Sequence, residues 1–200
     1  MHKRISPHGN QDHVGETINL INNFKVENVI FNVGSINKLE KDIIKVLDER
    51  KIKYYKELSE LSVFNNRIYF LNTTVYNNEN DNSNVLYLNY NNYQFLFMGD
   101  VGIEKEKDII NEYSIENIDF LKIGHHGSDT SSSKEFIDIM NPKYSIISVG
   151  ENNRYNHPKK SVLNTLSNSK IYRTDKDGSI EIELSKTDYK ISTCAPYRNE

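Results

Sequence analysis

Leu121-Lys122-Ile123-Gly124-His125-His126-Gly127-Ser128 reads as an apolar strand that runs into a glycine, two histidines, a second glycine and a hydroxyl. Glycine has no Cβ, so the flanking glycines let the backbone and the two imidazoles approach a ligand closely. Two solvated loop histidines are the plain alternative. The same grammar recurs on either side. Upstream, Phe95-Leu96-Phe97-Met98-Gly99-Asp100 sets a carboxylate directly after an apolar strand and a glycine, at the strand end where ligands gather in α/β sheets. Downstream, the apolar run Lys143 to Val149 leads into Gly150-Glu151-Asn152-Asn153-Arg154-Tyr155-Asn156-His157-Pro158. Taken singly, Gly-Asp is a turn, and His157 is the residue before a helix that opens at Pro158. Near the N-terminus, His8-Gly9-Asn10-Gln11-Asp12-His13 gathers imidazole and carboxylate just ahead of a helix; alone it is a polar loop with Asp12 as helix cap. Together, these segments put His or Asp beyond several strands at one sheet edge, which is what a metal site needs.

The remaining elements fit that arrangement. Val14 to Asn23 reads as a helix, Asn28 to Val33 as a buried strand ended by Gly34, and Ile36 to Lys51 as an amphipathic helix with Ile36, Leu39, Ile43, Val46 and Leu47 on one face. Val85 to Tyr90 and Tyr93 to Met98 form a hairpin through Asn91-Asn92, since asparagine tolerates positive φ. Ile103 to Tyr113, Ser133 to Met140 and Lys159 to Leu166 read as helices, and Ser133 is a good cap. Lys170 to Thr174, Ser179 to Leu184 and Tyr189 to Thr193 read as closing strands. Strands alternate with helices but hairpins are mixed in, so the class is α/β with a mixed sheet or two sheets. The polar stretch Asn77 to Asn84 reads as a surface loop. No linker divides residues 1–200, which form one domain.

Composition narrows the function. A single cysteine, Cys194, excludes an intrachain disulfide framework and a Cys-based zinc site. No apolar run is long enough to span a bilayer, and no N-terminal segment reads as a signal peptide, so the default placement of this chain is cytoplasmic. The net charge of −3, from 25 basic and 28 acidic residues, argues against nucleic-acid binding by bulk charge but allows a local basic groove.

The order of these motifs resembles the C-terminal metallo-β-lactamase-like domain of ComEC-type DNA-uptake (competence) proteins. The resemblance covers nearly the whole chain. It rests on His8-Gly9 through Glu16, Asn78 to Ser83, Phe97-Met98-Gly99-Asp100, Lys122 to Ser128, Ile147 to Gly150, His157-Pro158 and Tyr172 to Gly178. It implies an αββα sandwich, two mixed sheets with helices outside, and a metal site at one edge. His8 matches the first ligand of the superfamily's HxHxDH motif, Asp12 and His13 its closing pair, Asp100 the bridging carboxylate, and His125 or His126 the late histidine. Asn10 stands where a stronger ligand is usual, and Asn156 where glycine is usual. The implied cofactor is a divalent metal, zinc or manganese, one or two ions. Only Met1 to Pro7 precede His8, whereas the family places several strands there; the expectation is the distal, N-terminally truncated part of such a domain, with apolar sheet surface uncovered.

The function so implied is a metal-dependent hydrolase, a phosphodiesterase or nuclease that acts on single-stranded DNA during uptake. Asp12, Asp100 and His157 are the expected catalytic groups, and Gly127, Ser128 and Lys122 the expected phosphate contacts. The expected partner is the membrane-channel part of a longer protein, which would tether the domain outside the cytoplasm. Two rival readings stand beside it: a degenerate, non-catalytic binding or structural lobe, and a hydrolase of small esters or lactones.

Overall fold

The computed structural model describes residues 2–5 and 14–195. Strand β1 (His2–Ile5) precedes helix α1 (Thr17–Asn23), β2 (Val26–Ile30), α2 (Lys38–Glu49) and β3 (Lys53–Tyr55). β2 lies between β1 and β3, parallel to both. Helix α2 forms because Asn37 and Glu40 make a reciprocal capping box, each side chain accepting the other's backbone N–H at 2.9 Å. Its apolar face buries Ile43 and Leu47 against Val29, Phe31, Ile21 and Val14, a small core of its own.

The chain then builds a seven-stranded mixed sheet. β4 (Glu60–Val63), β5 (Asn66–Phe70), β6 (Leu86–Tyr90) and β7 (Tyr93–Phe97) run antiparallel, each to the next. The β6–β7 hairpin closes through Asn91 and Asn92, with φ of 51° and 67°, the left-handed geometry that suits asparagine in a two-residue turn. After α3 (Ile103–Glu112), β8 (Phe120–Lys122) joins parallel to β7. After α4 (Lys134–Met140), β9 (Tyr144–Ile147) joins parallel to β8. After α5 (Lys160–Thr165), β10 (Lys170–Arg173) joins parallel to β9. A short helix α6 (Thr174–Asp177) leads into the hairpin of β11 (Ser179–Leu184) and β12 (Tyr189–Cys194).

Side-chain alternation assigns the two faces of the large sheet. Leu96, Leu121 and Ile147 point into the main core with Ile109 of α3, Phe136, Ile137 and Met140 of α4, and Val162 of α5. Phe95, Phe120 and Tyr144 point the other way and stack on one another, with ring centroids 4.6 and 5.3 Å apart. Tyr189 of β12 caps that stack edge-on against Phe120 at 5.3 Å. Three consecutive β–loop–α crossovers thus leave the ends of β7, β8 and β9 side by side, and the loops that follow them converge.

Three features differ from the sequence expectation. Among the described residues the three-stranded sheet, β1–β2–β3, is parallel, the seven-stranded one is mixed, and β11–β12 form a separate antiparallel pair. Strands β3, β4 and β5 carry many exposed positions and weak apolar alternation, and for that reason no strand pattern announces them. The asparagine-rich stretch is a surface loop only in its first half, where Asn77 and Asn78 are exposed. Residues Glu79–Asn82 form a 3-10 turn, and Asp81, Asn82, Ser83 and Asn84 are buried. Polar side chains are tolerated there because they satisfy backbone groups: Asn82 exchanges both hydrogen bonds with the Tyr76 backbone, at 2.8 and 2.9 Å.

Candidate active site

The turn after β7 is built around Gly99. Its φ of +59° and a Cβ position 2.8 Å from the Ser83 Cβ leave room for no other residue. The buried polar turn presses against it here. Asp100 donates its backbone N–H to the Ser83 Oγ at 3.2 Å, and Gly102 donates its own to the Asp81 Oδ1 at 2.6 Å. Asn78 steadies the other Asp81 oxygen at 2.8 Å. Beneath, the wholly buried Lys105 donates to the Ser83 carbonyl at 3.1 Å. Burial pushes this ammonium down to about 8, against the pull of Asp81, Asp108 and Glu112. The backbone of the Asp100 turn is thereby held by the side chains of Ser83 and Asp81, and Asp100 is buried.

The turn after β8 holds His125 and His126 in left-handed backbone conformation, with φ of 45° and 54°. Such conformations cost a non-glycine residue some free energy and persist where the surrounding structure holds them. The His125 N–H donates to the Gly99 carbonyl at 3.0 Å, so the two turns are fastened together. His125 places its Nδ1 3.2 Å from the Thr130 Oγ1. His126 places its Nδ1 2.7 Å from the Ser148 carbonyl in the turn after β9. A carbonyl only accepts, so that nitrogen carries the proton and Nε2 keeps a lone pair. Nε2 faces the Asp100 carboxylate across 3.8 Å.

The third turn brings in His157. Asn153 clamps it by accepting the His157 N–H at 2.9 Å and donating to its carbonyl at 2.8 Å. Its ring meets His125 edge-on at 6.0 Å and stacks on Tyr155 at 5.7 Å. Burial, and then the charges of His125, Lys159 and His126, hold its imidazole below the usual histidine range, while Asp129 opposes them. These groups line an open cavity of about 830 Å³. Its floor carries Asp100 and the histidines, with Ser128 and Asp129 on one flank and Arg154, Tyr155 and Lys159 on the rim.

Of the candidate site residues, Asp100, His125, His126, Ser128 and His157 line this one cavity. His8, Asp12 and His13, and the Asn10 between them, lie outside the described residues. Two expected phosphate contacts are placed elsewhere. Lys122 points to the hairpin face of the sheet, where its Nζ donates to its own neighbour's carbonyl, Ile123, at 2.9 Å. It lines a separate cavity there with Phe95, Phe97, Phe120 and Ile180. Strand alternation explains this, since Lys122 is two residues from Phe120 and shares its face. Gly127 is buried under Pro158 and lies outside the cavity lining; its φ of +82° and tight packing give it a structural task. Ser133 caps α4 as expected, while Ser131 nearby bonds the Gly124 and Ser128 carbonyls. Arg154, Tyr155 and Asp129 escaped the sequence reading. The signal for the first two was their place in the same post-strand loop as His157.

Among the described residues no group of three or more His, Cys, Asp or Glu side chains is set to hold a metal ion. The donor chemistry at the cavity floor nevertheless fits one. A carboxylate oxygen and an imidazole lone pair face each other across 3.8 Å, too far for a hydrogen bond. Two bonds of about 2.1 Å each from a shared divalent ion bridge such a gap. The outward N–H of His126 rests on a backbone carbonyl, the support that orients metal-ligating histidines.

No family model matches the chain. It is 31% identical over 202 residues to ComE operon protein 3 of Bacillus subtilis (strain 168), an alignment that covers 96% of this chain and 26% of that protein. It is 33% identical over 107 residues to competence protein ComA of Neisseria gonorrhoeae, covering 52% of this chain and 15% of that one. The chain thus spans about a quarter, or less, of the curated relatives it matches. Among solved structures it resembles the metallo-β-lactamase fold protein YhfI from Bacillus subtilis, with a TM-score of 0.57 at 10% identity over 86% of this chain and 73% of that one. That likeness bears on the fold. Among the described residues, no helix is long and apolar enough to cross a membrane.

Proposed function

Since this chain is a metallo-β-lactamase-like domain of the ComEC type, we propose that it is a metal-dependent phosphodiesterase that cleaves single-stranded DNA in competence-type uptake. The observation that carries the reading is the pairing of Asp100 with the Nε2 of His126 on the floor of an open cavity whose rim bears Arg154 and Lys159. A carboxylate and an imidazole below, with two cations above, suit a site that takes a metal ion and a phosphodiester together.

Asp100 and His126 would hold the metal, with His8, Asp12 and His13 as the further ligands. Zinc and manganese both suit such a mixed oxygen and nitrogen set. When bound, the metal supplies a water of lowered pKa and polarises a phosphoryl oxygen. The chain's own residues do the rest. Ser83 anchors the backbone of Asp100, and burial confines its carboxylate to the cavity floor. His126 is locked in one tautomer by Ser148. The rim cations Arg154 and Lys159 receive the phosphate, and the Ser128 hydroxyl faces the same space. His157, whose backbone is clamped by Asn153, would hydrogen-bond the leaving oxygen. The membrane-channel part of a longer protein is the proposed partner, delivering the strand and tethering the domain outside the cytoplasm.

The test is cleavage of an end-labelled single-stranded oligonucleotide by the purified chain with added manganese or zinc. Cleavage should stop with a chelator and fall by at least a hundredfold in Asp100→Ala and His126→Ala. Undiminished cleavage in those variants would show the site to be misassigned.

A further inference from the structure

The loop between β9 and α5 presents an aromatic side chain that the metal-side chemistry does not use. Tyr155 is 56% exposed, although it sits on the rim of the cavity floored by Asp100 and His126. One face of its ring stacks on His157, with an interplanar angle of 18°. The Arg154 guanidinium lies over the ring at 4.6 Å and also touches the Tyr155 hydroxyl. Lys159 donates to the Tyr155 carbonyl at 2.9 Å, which brings a second cation to the same spot. The ring thus stands more than half exposed among an imidazole and two cations, open to a ligand that enters the cavity.

We propose that Tyr155 is a stacking platform for one unpaired nucleobase and that Arg154 and Lys159 bind the phosphate beside it. The inference rests on the reading of the cavity as a DNA-cleaving site and deepens it, because it specifies why the strand is single. A base that lies flat on Tyr155 has left its own helical stack and its partner, which an intact duplex resists. An exposed cation–π contact is weaker than base–aromatic stacking. The base therefore takes the position over the ring now held by the guanidinium, and Arg154 is released to pair with a phosphate oxygen in fork geometry. The His157 ring, near-parallel to Tyr155 at 5.7 Å, helps to fix the tilt of the platform. Stacking accepts any base, so recognition here is independent of sequence, as suits a protein that takes in foreign DNA. It also resolves the net charge of −3: three local groups, rather than bulk charge, supply the affinity.

The experiment uses the whole chain in chelator, so that binding is read without cleavage. Its probes are a short single-stranded oligothymidylate with one internal 2-aminopurine and an abasic oligomer of the same length and charge. The parent should quench the 2-aminopurine, bind the intact oligomer about tenfold tighter than the abasic one and lose both properties in Tyr155→Ala. Tyr155→Phe should keep them, which separates stacking from any loss of fold. If Tyr155→Ala weakens the intact and abasic oligomers equally, or leaves the quenching in place, the platform is overturned. Cleavage with metal restored distinguishes the two readings. A parent that quenches but never cleaves keeps the platform and loses the nuclease. A parent that cleaves while Tyr155→Ala binds normally keeps the nuclease and loses the platform.

Discussion

The Nδ1 of His126 lies 2.7 Å from the Ser148 carbonyl, and that contact decides which of the ring's nitrogens faces Asp100. The carbonyl is itself held. Thr174, at the start of α6, accepts the Val149 N–H at 2.7 Å and donates to the Val149 carbonyl at 2.8 Å. The turn after β9 is therefore pinned from the start of α6, and the pin acts on His126 through one peptide unit.

Metal binding should register in stability before it registers in activity. A metal ion at a hundred times its dissociation constant stabilises the folded chain by about 2.7 kcal/mol. A thermal melt with and without manganese or zinc should show the shift in the parent and in His125→Ala, and lose it in His126→Ala. A shift that survives in His126→Ala and vanishes in His125→Ala would exchange the roles of the two histidines.

Thr174→Val removes the hydroxyl at nearly constant volume. It leaves the Val149 N–H unsatisfied, which costs about 1–3 kcal/mol, and it frees the Ser148 carbonyl to drift from His126. Metal affinity, measured by calorimetric titration on the folded fraction, should fall about tenfold to a hundredfold. Thr174→Ser keeps the hydroxyl and should restore most of it. If Thr174→Val lowers the melting temperature and leaves affinity unchanged, the connection to His126 is broken.

Asp81→Ala tests the buried polar turn behind Asp100. The Asp81 carboxylate accepts the Gly102 N–H at 2.6 Å and an Asn78 amide proton at 2.8 Å. Removing it should cost roughly 2–4 kcal/mol, since a charged acceptor is lost and a backbone donor is stranded. Chemical denaturation reads the loss directly. An effect below a few tenths of a kcal/mol would return the stretch to the plain surface loop that its composition suggests.

That stretch also shows where the sequence stops being readable. Composition scores Asn82 and Asp81 as solvent-loving, yet buried Asn82 is matched to the Tyr76 backbone and buried Asp81 to the Gly102 N–H of a distant turn, and no local pattern encodes such matches. Lys122 misleads for the opposite reason. Its neighbour His125 faces the cavity, but strand alternation turns Lys122 to the hairpin side with Phe120. The legible parts were those governed by local rules: apolar runs for β7, β8 and β9, the Asn91-Asn92 turn, the Ser133 cap, and the habit of placing Asp100, His126 and His157 just beyond strand ends. Tyr155 was invisible because an exposed aromatic differs from a core aromatic only in what surrounds it.

Buried lysines give the fold a pH signature on the alkaline side. Lys105 titrates at about 8 in the folded chain, against 10.5 ordinarily, because burial penalises its charge. Between those values the unfolded chain carries a proton that the folded chain has released, so stability rises with pH. Below pH 8 both forms are charged and the penalty is constant. The gain from Lys105 between pH 8 and 10 is on the order of 2–3 kcal/mol. Lys122, also pushed down to about 8 by burial, adds in the same direction. Above pH 10 buried Tyr76, whose ionisation is pushed up by desolvation and then by Asp108, acts in the opposite sense. Urea denaturation at pH 7, 8, 9 and 10 should show the rise in the parent and a smaller one in Lys105→Met. A flat profile in the parent would mean that Lys105 is not buried as a charge.

Gly127 separates geometry from chemistry at the site. A Cβ at this position would lie 2.5 Å from the Pro158 Cβ, and φ is +82°. Gly127→Ala therefore meets both a clash and a left-handed backbone, together costing about 2–4 kcal/mol. The two sides of that clash carry His126 and His157, on adjacent residues. Any relief moves the histidine turn and the Tyr155 loop apart, so cleavage should fall well beyond the fraction unfolded. Gly150→Ala is the matched control: nothing stands within 4 Å of its Cβ position, and it lies in the same loop. It should leave both melting temperature and cleavage near the parent values. Should Gly127→Ala, at a temperature where it is fully folded, cleave as fast as Gly150→Ala, the close seating of the His126 turn on the His157 loop is not required for the reaction.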